Sequence, residues 1–514
     1  MIFCPNCGSS YPDGTKFCSK CGSKLQEAAQ PVQANPEPEI QAETFVRKTV
    51  KEKKAAPKLN LNPKLIAIAA AALALVILAV VFLPKLFSGN AGLTLRKDYV
   101  QSGKMGDSWI GFNKAGKVVK MESDESTKNG AMSADGTKNL LLDSEKTLFL
   151  FDGSKFTKIA EEVKSFLLSF DGKTVAYMDE ESSVYLYAGG KAKKVAEDVG
   201  SLNAISPDGK AVAYTKRNND TTRGYFYDGK ERELGKNMTP VALSAKGTYV
   251  YYTNQSGVLY VQKGENNDDR QKIVDNVNNV IFNADGTQAV ANDGSKTYFS
   301  EKAGERVEIS KSVMRILLPA RTMKDSRFVG VGSLKDQLYS VYASGDGYTV
   351  YRLNKKLETN SLVRNVFSLS LQEDGKTISY LKNEKLYLMN TSASDPEGKL
   401  LASNVESFVS AVNGKLFLYE NEDKETFTVN TSGKSQKVVG ESVAEWAAVG
   451  SGFLYVIDDE LYFTSGGKGS KVSGLSDDVE DLESYRDYAL IRCGDDAIYL
   501  TSDGKKLIKI YDGE

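Results

Sequence analysis

Histidine is absent from all 514 residues of the sequence. Its absence excludes imidazole bases, histidine metal ligands and every Ser-His-Asp or Cys-His catalytic arrangement. Cysteine is scarce as well: four of the five cysteines lie within the first 21 residues, which excludes a disulfide framework for the large remainder. Neither sign of charge is in excess, because the chain has 66 basic and 67 acidic side chains. This balance argues against a bulk nucleic-acid binder or a polyanion mimic.

Two C-x-x-C pairs open the chain, Cys4 with Cys7 and Cys18 with Cys21, and a glycine follows each pair. Four thiolates at this spacing suit one tetrahedral zinc ion, which would be structural because no coordination position stays open for water. A redox dithiol pair or two disulfides is the alternative interpretation. The segments C-P-N-C-G and F-C-S-K-C-G resemble the zinc-ribbon family. We therefore predict a zinc ribbon at residues 1–25, with these four cysteines as zinc ligands.

A long apolar run follows a polar segment. Residues 26–63 are rich in Gln, Ala, Pro, Glu and Lys, a composition that cannot offset the entropy of ordering and predicts a flexible linker. From Leu65 to Leu83, nineteen consecutive side chains are neither charged nor polar. As a helix, this run is long enough to cross the hydrocarbon core of a bilayer. We predict a single transmembrane helix at residues 64–87.

Charges beside this run predict its orientation. Basic residues are more numerous before the run (Arg47, Lys48, Lys51, Lys53, Lys54, Lys58 and Lys64) than after it (Lys85, Arg96 and Lys97). The more basic flank of a membrane span stays in the cytoplasm. The prediction is a single-pass protein of the cell membrane with a cytoplasmic ribbon and with residues 88–514 outside the cell. Zinc thiolates persist in reducing cytosol, which agrees with this orientation.

Internal repetition dominates the sequence from residue 130 onward. Asp-Gly turns recur at Gly136, Gly172, Gly209 and Gly286, a departing copy ends at Gly247, and a further turn ends at Gly375. The interval from Gly286 to Gly375 leaves room for two units with one turn eroded. Tyrosine often lies five residues after the glycine, at Tyr177, Tyr214, Tyr252 and Tyr380. Asp-Gly between β-rich runs predicts tight hairpins, because such turns need a positive φ.

An apolar–aromatic–apolar strand repeats about a dozen residues after each turn. Ten copies fit the region, centred on Phe149, Tyr185, Phe226, Tyr260, Phe299, Tyr351, Tyr387, Phe417, Tyr462 and Tyr499. Four strands in about 40 residues match the strand number and repeat length of one β-propeller blade. Residues 94–120 are candidates for strands that close the ring.

The segment from Ile205 to Tyr214, I-S-P-D-G-K-A-V-A-Y, resembles the WD-repeat-like propellers of periplasmic Tol systems and of prolyl-oligopeptidases. The resemblance implies a mainly β fold, with a β-propeller-like domain over residues 88–514. The prediction is about 7–10 four-stranded units. One ring, two smaller rings and a β-solenoid stay open as alternatives. The whole chain also resembles the zinc-ribbon, single-span surface proteins of Gram-positive bacteria.

Candidate chemistry in the repeat region is sparse. No G-x-S-x-G nucleophile elbow occurs. Acidic clusters at Asp458–Glu460 and Asp477–Asp481 could bind calcium or cleave glycans as a carboxylate pair, but their spacing favours solvated loops. The repeated aspartates are expected to stabilise their own turns and the repeated tyrosines to lie in blade cores. Cys493 is expected to be a small buried hydrophobic residue.

These observations favour a membrane-anchored protein that is not an enzyme. We expect a binding, sensor or scaffold role, with a propeller that binds a protein, peptide or glycan and a ribbon that docks a cytoplasmic protein. An extracytoplasmic hydrolase or lyase that uses carboxylates is one alternative. The other is a membrane-tethered regulator whose ribbon binds nucleic acid, although Lys16, Lys20 and Lys24 form only a thin basic patch.

Overall fold

The computed structural model describes residues 2–3, 10–11 and 100–513, apart from 106–107, 114, 123–125, 219–220, 265–269, 344, 346, 394–396, 442, 444 and 486–487. The predicted zinc ligands Cys4, Cys7, Cys18 and Cys21, the linker at 26–63 and the membrane helix at 64–87 lie outside these residues. In the part that is described, no helix has the length and apolar character needed to cross a membrane.

The N-terminal segment contributes one short hairpin. Strand β1 (Ile2–Phe3) pairs antiparallel with β2 (Ser10–Tyr11), so that Ile2 is opposite Tyr11. In sequence, this hairpin brackets the first C-x-x-C pair.

Residues 100–512 form eleven antiparallel sheets, which we number as blades 1 to 11 in chain order. Blade 1 has three strands: β3 (Val100–Met105), β4 (Ser108–Asn113) and β5 (Val118–Glu122). Blades 2 to 6 each have four: β6 (Thr127–Met132), β7 (Asn139–Asp143), β8 (Leu148–Phe151) and β9 (Phe156–Ala160); β10 (Val163–Leu168), β11 (Thr174–Asp179), β12 (Val184–Ala188) and β13 (Lys191–Ala196); β14 (Val199–Ile205), β15 (Val212–Asn218), β16 (Thr221–Tyr227) and β17 (Glu231–Lys236); β18 (Met238–Leu243), β19 (Tyr249–Asn254), β20 (Leu259–Lys263) and β21 (Gln271–Val274); and β22 (Asn279–Phe282), β23 (Gln288–Asn292), β24 (Thr297–Glu301) and β25 (Val307–Ser310).

Blades 7 to 11 repeat the same four-stranded order: β26 (Arg315–Ile316), β27 (Leu338–Ala343), β28 (Gly347–Leu353) and β29 (Thr359–Val366); β30 (Ser368–Leu371), β31 (Thr377–Lys382), β32 (Lys385–Asn390) and β33 (Lys399–Ser403); β34 (Val405–Ser410), β35 (Leu416–Asn421), β36 (Thr426–Asn430) and β37 (Ser435–Val439); β38 (Trp446–Val449), β39 (Gly452–Ile457), β40 (Glu460–Thr464) and β41 (Ser470–Lys471); and β42 (Val479–Tyr485), β43 (Tyr488–Cys493), β44 (Ala497–Thr501) and β45 (Ile508–Asp512). One 3-10 turn, Ala245–Gly247, precedes β19.

Each blade is a simple meander in which every strand pairs with the next along the chain. The predicted tyrosines lie on the second strand, directly opposite an aromatic residue of the third strand. Tyr177 stacks on Tyr185 with ring centroids 5.0 Å apart, and Tyr380 stacks on Tyr387 at 5.4 Å. Such cross-strand aromatic pairs stabilise a sheet beyond the area that they bury. The prediction that the repeated tyrosines are core residues is confirmed.

Hydrophobic clusters between neighbouring sheets arrange the blades in one closed ring. Each blade packs on the next, and blade 11 packs back on blade 1 through Phe112, Tyr488 and Ile498. The rings of Phe112 and Tyr488 meet edge to face at 6.3 Å, and the Tyr488 hydroxyl donates to the side chain of Gln101. The expectation of 7–10 units in one or two rings is therefore corrected to ten four-stranded blades and one three-stranded blade in a single ring. Strands from the 94–120 segment close it, as expected.

The Asp-Gly turns of blades 2 to 6 share one buried polar anchor. The residue that opens each turn is Ser133, Ser169, Ser206, Ser244 or Asn283, and each is at most 1% exposed. Its side-chain oxygen accepts a hydrogen bond from the backbone N–H five residues later, as from Ala211 to Ser206 at 2.9 Å. In Ser206 the hydroxyl also donates to the turn aspartate, Asp208, at 2.9 Å. The repeated aspartates therefore stabilise their own turns, as predicted.

The eroded turn between Gly286 and Gly375 is the long loop 317–337 of blade 7, which joins β26 to β27. One sequence assignment in the following blades is wrong. The segment Leu416–Leu418 was assigned to the aromatic third strand but lies in β35, the second strand of blade 9, and Phe427 on β36 holds the third-strand position. The error arises because Phe417 and Phe427 both follow the same apolar alternation.

Candidate binding surfaces

The loops of the ring divide into two sets. Because the strands alternate in direction, the loops between first and second and between third and fourth strands lie on one face, which we call the turn face. The loops between second and third strands, and the connections to the next blade, lie on the other face. Hydrogen bonds within each set agree: the Asp171 N–H donates to Pro207 O at 3.0 Å on the turn face, and the Glu180 N–H donates to Glu162 O at 2.9 Å on the other.

Charge separates the two faces strongly. On the turn face, the described loops, including the β4–β5 loop of three-stranded blade 1, carry 22 basic residues (117, 138, 155, 173, 210, 230, 246, 270, 302, 306, 321, 324, 327, 335, 355, 356, 376, 415, 434, 468, 505 and 506) and 14 acidic ones (135, 152, 171, 208, 228, 285, 305, 325, 336, 358, 373, 374, 397 and 503). The other face carries 4 basic residues (146, 296, 311 and 424) and 21 acidic ones (145, 161, 162, 180, 181, 197, 198, 275, 293, 384, 422, 423, 425, 441, 445, 458, 459, 477, 478, 495 and 496). We call it the acidic face.

Ion pairs balance part of the acidic face and leave another part uncompensated. In blades 2 and 3, Glu180 pairs with Lys146 at 2.8 Å and Glu197 pairs with Lys194 at 2.6 Å. In blades 8 to 11, ten of the twelve described acidic-face carboxylates form no ion pair within the described part of the chain: Glu384, Glu422, Asp423, Glu441, Glu445, Asp458, Asp459, Asp477, Asp478 and Asp495. We call seven of them, Glu384, Glu422, Asp423, Asp458, Asp459, Asp477 and Asp478, the acidic arc.

Two members of the acidic arc crowd one another. The carboxyls of Glu422 and Glu384 share a hydrogen bond, and this like-charged neighbour raises the pKa of Glu422 above its ordinary value. Two neighbouring carboxylates disfavour each other's ionised form, which indicates that negative charge at this position lacks a counterion. The arc is therefore electrostatically unsatisfied as well as acidic.

The two acidic clusters noted in the sequence meet at a single cleft of about 760 Å³. Asp458 and Asp459 come from the hairpin of blade 10, Asp477 and Asp478 come from the connection to blade 11, and Glu480 comes from β42. Glu445 lines the same cleft, and its Oε2 atom is buried without a hydrogen-bond partner. Of the remaining acidic residues, Glu460 pairs with Lys471 and Asp481 does not line the cleft. In the part of the chain described, no three His, Cys, Asp or Glu residues are placed to hold a metal ion.

In the described part of the chain, the exposed aromatic rings all lie on the same face. Phe367 is 60% exposed, Tyr342 is 52% exposed and Trp446 is 38% exposed. Phe367 connects blade 7 to blade 8, Tyr342 lies at the end of β27, and Trp446 begins β38 beside Glu445. All three positions belong to the acidic-face ends of their strands.

The inner edge of the ring holds a second cavity, the central pocket, which has a volume of about 210 Å³. Its apolar wall comes from the first strands of blades 2 to 5 and includes Met132, Leu167 and Val241. The loop 317–337 closes it by running along the free edge of β22: the Phe282 N–H donates to Arg327 O at 2.8 Å, and the Val329 N–H donates to Phe282 O at 2.9 Å. Phe328 anchors this loop against Phe170 and Phe282.

Opposite charges project from the loop tip into the central pocket. The guanidinium Nη1 of Arg327 donates to the carbonyl oxygens of Val241 and Asn203, so its charge is held against blades 4 and 5. Asp325 Oδ1 accepts the N–H groups of Arg327 and Phe328, both at 2.7 Å. Asp325 is open to solvent, yet the surrounding protein desolvates it enough to raise the pKa of its carboxyl above the ordinary value. The pocket combines an apolar wall with one carboxylate and one guanidinium.

Cys493 lies in β43 and is fully buried, and burial raises the pKa of its thiol. The expectation that it is a small core residue is confirmed. Sequence reasoning missed the central pocket and the acidic arc. The loop 317–337 lacks any repeat signature, and the arc consists of residues far apart in sequence that only the ring brings to one face. One sequence pattern could have predicted the acidic face: Asp-Gly turns that contain lysine alternate along the chain with hairpins rich in Asp and Glu.

Residues 3–25 match the family model of the zinc-ribbon domain. No curated protein matches the chain. Among solved structures, a crystal structure of the eukaryotic initiation factor aligns at a TM-score of 0.39 with 12% identity, covering 66% of this chain and 95% of its own. The tricorn protease gives 0.25 and 10%, covering 83% and 62%. A TolB protein from Agrobacterium tumefaciens gives 0.28 and 17%, covering 40% and 89%. Scores this low carry no argument about function. The zinc ribbon and the propeller support a binding or scaffold role.

Proposed function

We propose that this protein is a membrane-anchored, non-enzymatic binding or scaffold protein. A structural zinc ion held by Cys4, Cys7, Cys18 and Cys21 stabilises its cytoplasmic ribbon, where a cytoplasmic protein docks. The propeller lies outside the cell and binds a protein, peptide or glycan. The donor set supports the zinc site, because four thiolates saturate a tetrahedral ion.

The uncharged run from Leu65 to Leu83 supports the anchor, and the basic residues before it support the orientation.

The central pocket is the observation that carries the binding role. Four consecutive blades and a dedicated loop build it, and its volume suits one inserted side chain or sugar ring rather than a whole ligand. Partners commonly anchor in such a pocket through one buried group at the centre of a larger contact. Arg327 and Asp325 would orient that group, because both charged side chains line the pocket.

Filling the pocket tests this role. Ala131 lines the pocket, so Ala131→Leu inserts a side chain into it, whereas Ala188→Leu adds the same atoms at an exposed strand end. Photo-crosslinking on intact cells should capture an outer partner with the native chain and with Ala188→Leu, but not with Ala131→Leu. Equal capture by all three proteins would contradict a role for the central pocket.

Protease added to intact cells tests the anchor separately. The proposal requires that the propeller be digested and that the ribbon be protected. A protected propeller with a digested ribbon, or a chain that stays in the soluble fraction, would contradict it.

A further inference from the structure

We propose that the acidic arc and the exposed aromatic rings beside it form a docking surface for a Lys- and Arg-rich segment of another protein. The inference builds on the proposed binding role of the propeller. It concerns a surface distinct from the central pocket and does not depend on membrane anchoring.

Charge complementarity identifies the occupant. The arc presents seven carboxylates without an ion-pair partner in the described part of the chain, and two of them, Glu384 and Glu422, lie close enough together that Glu384 raises the pKa of Glu422. Elsewhere on the same face, four of the nine described carboxylates (Glu161, Glu180, Glu197 and Asp275) pair with a basic residue, against two of twelve in blades 8 to 11. A surface that leaves its negative charge uncompensated at one location gains most from a cationic partner there.

The aromatic rings point to the same chemistry independently of the charges. Large exposed aromatic side chains are costly on a free surface and attract cations through the ring face. Phe367 lies directly before blade 8, which carries Glu384, and Trp446 follows Glu445 at the acidic cleft. Carboxylates and aromatic rings on one surface together recognise the ammonium and guanidinium groups of lysine and arginine.

The cleft gives this surface depth. Its volume of about 760 Å³ accommodates several side chains, and four of the seven arc carboxylates line it. An extended basic segment could therefore place alternate side chains in the cleft while its remaining cations follow the arc toward Phe367. A multivalent contact of this kind depends strongly on salt.

Trp446 is a natural reporter for this docking. The chain has two tryptophans, and the other, Trp109, is fully buried. Binding at the arc should shift the fluorescence emission of Trp446 and protect it from a soluble quencher. The probe is a short oligolysine peptide, with an oligoglutamate of equal length as its control, added to the full-length chain in detergent at low salt.

Neutral substitutions then locate the contact. Asp458, Asp459, Asp477 and Asp478 become asparagine together, which suits Asp458 and Asp459 because asparagine tolerates their positive φ values of 49° and 61°. The matched control removes four turn-face charges through Glu305→Gln, Asp336→Asn, Glu358→Gln and Glu397→Gln. We expect oligolysine affinity to fall about tenfold or more in the first variant and less than about twofold in the control.

Trp446→Phe should abolish the fluorescence response while binding persists by calorimetry. The proposal is overturned if the cleft variant binds oligolysine as tightly as the native chain, or if the control loses as much affinity. It is also overturned if calcium alone reproduces the Trp446 response and oligolysine does not. Ala131→Leu should leave oligolysine binding unchanged, which separates this surface from the central pocket.

Discussion

Blades 2 to 6 and blades 7 to 11 have the same strand order, but the repeated sequence motifs that mark each blade are clear only in blades 2 to 6. In the first group, a buried serine or asparagine opens each first turn and accepts the N–H five residues later. In the second group, blades 8 and 9 have Gln372 and Ala411 at that position, and the loop 317–337 replaces the turn in blade 7. In blades 10 and 11 the second strand begins three residues after the first strand ends. The ring nevertheless continues without interruption. Alternating apolar residues and aromatic pairs are therefore sufficient to form a blade, whereas the buried polar residue stabilises only the turn.

The largest expected effect concerns the junction where the second group meets blade 1. Phe112 is 2% exposed and packs on Tyr488 of blade 11. Phe112→Ala should lower the free energy of unfolding by about 3–5 kcal/mol, because it leaves a cavity at the closure of the ring. Phe226→Ala inside blade 4 is the control with a similar loss of volume. Hydrogen exchange should accelerate in blade 11 only for Phe112→Ala, and equal acceleration in both variants would argue against closure at this junction.

A second test addresses the stacking of the regular turns. Gly209 has a φ of +67°, and a Cβ there would overlap Thr174 Oγ1 in the preceding blade. Gly209→Ala should therefore destabilise the protein by about 2–4 kcal/mol, through overlap added to backbone strain. Gly189 has a φ of +58° with no atom within 4 Å, so Gly189→Ala should cost only about 1 kcal/mol. Chemical denaturation of both variants measures the difference, and similar losses would contradict stacked turns.

The polar anchor itself can be exchanged between the groups. Ser206→Ala leaves the buried N–H of Ala211 without its hydroxyl acceptor, which should cost about 1–3 kcal/mol. The reverse change, Ala411→Ser in blade 9, places a hydroxyl where the turn already has the same backbone bond, from the Ala411 N–H to Leu416 O. We expect it to stabilise the chain by less than about 1 kcal/mol. A loss of stability in Ala411→Ser would show that the second group uses a different turn geometry.

The smallest effect lies at the boundary between the groups, where Lys335 of the loop 317–337 pairs with Glu301 of blade 6 at 2.8 Å. The hydrogen bond from Lys335 lowers the pKa of Glu301 below its ordinary 4.5, against the opposing effect of burial. A lowered carboxyl pKa stabilises the fold above the unfolded-state pKa, and the contribution disappears as the pH falls through the lower folded-state pKa. Lys335→Met should therefore cost under about 1 kcal/mol at neutral pH, since the pair is partly exposed. Denaturation at neutral pH and below pH 4 should show the cost only at neutral pH.

The same contrast between the two groups of blades explains how much of the fold could be predicted from the sequence. The five turns up to Gly286 and the tyrosines at 177, 214 and 252 predict a propeller, because each feature meets a local requirement of its own hairpin. Residues 94–120 were predicted to supply closing strands, but the contacts that close the ring, such as Phe112 with Tyr488, could not be predicted, since they join opposite ends of the repeat region. The zinc ligands and the membrane helix remain predictions from local pattern. The acidic arc was partly visible as Asp458–Glu460 and Asp477–Asp481, but nothing local places these segments at one cleft.

Hydrogen exchange with and without oligolysine tests the central claim most directly, because it compares both faces of the ring in one measurement on the full-length chain. The account predicts slower exchange in the acidic-face loops around Asp458 and Asp478, and unchanged exchange in the turn-face loops around Asp135 and Asp208. Protection of the turn face, or no protection anywhere at a peptide concentration that saturates binding, would contradict it.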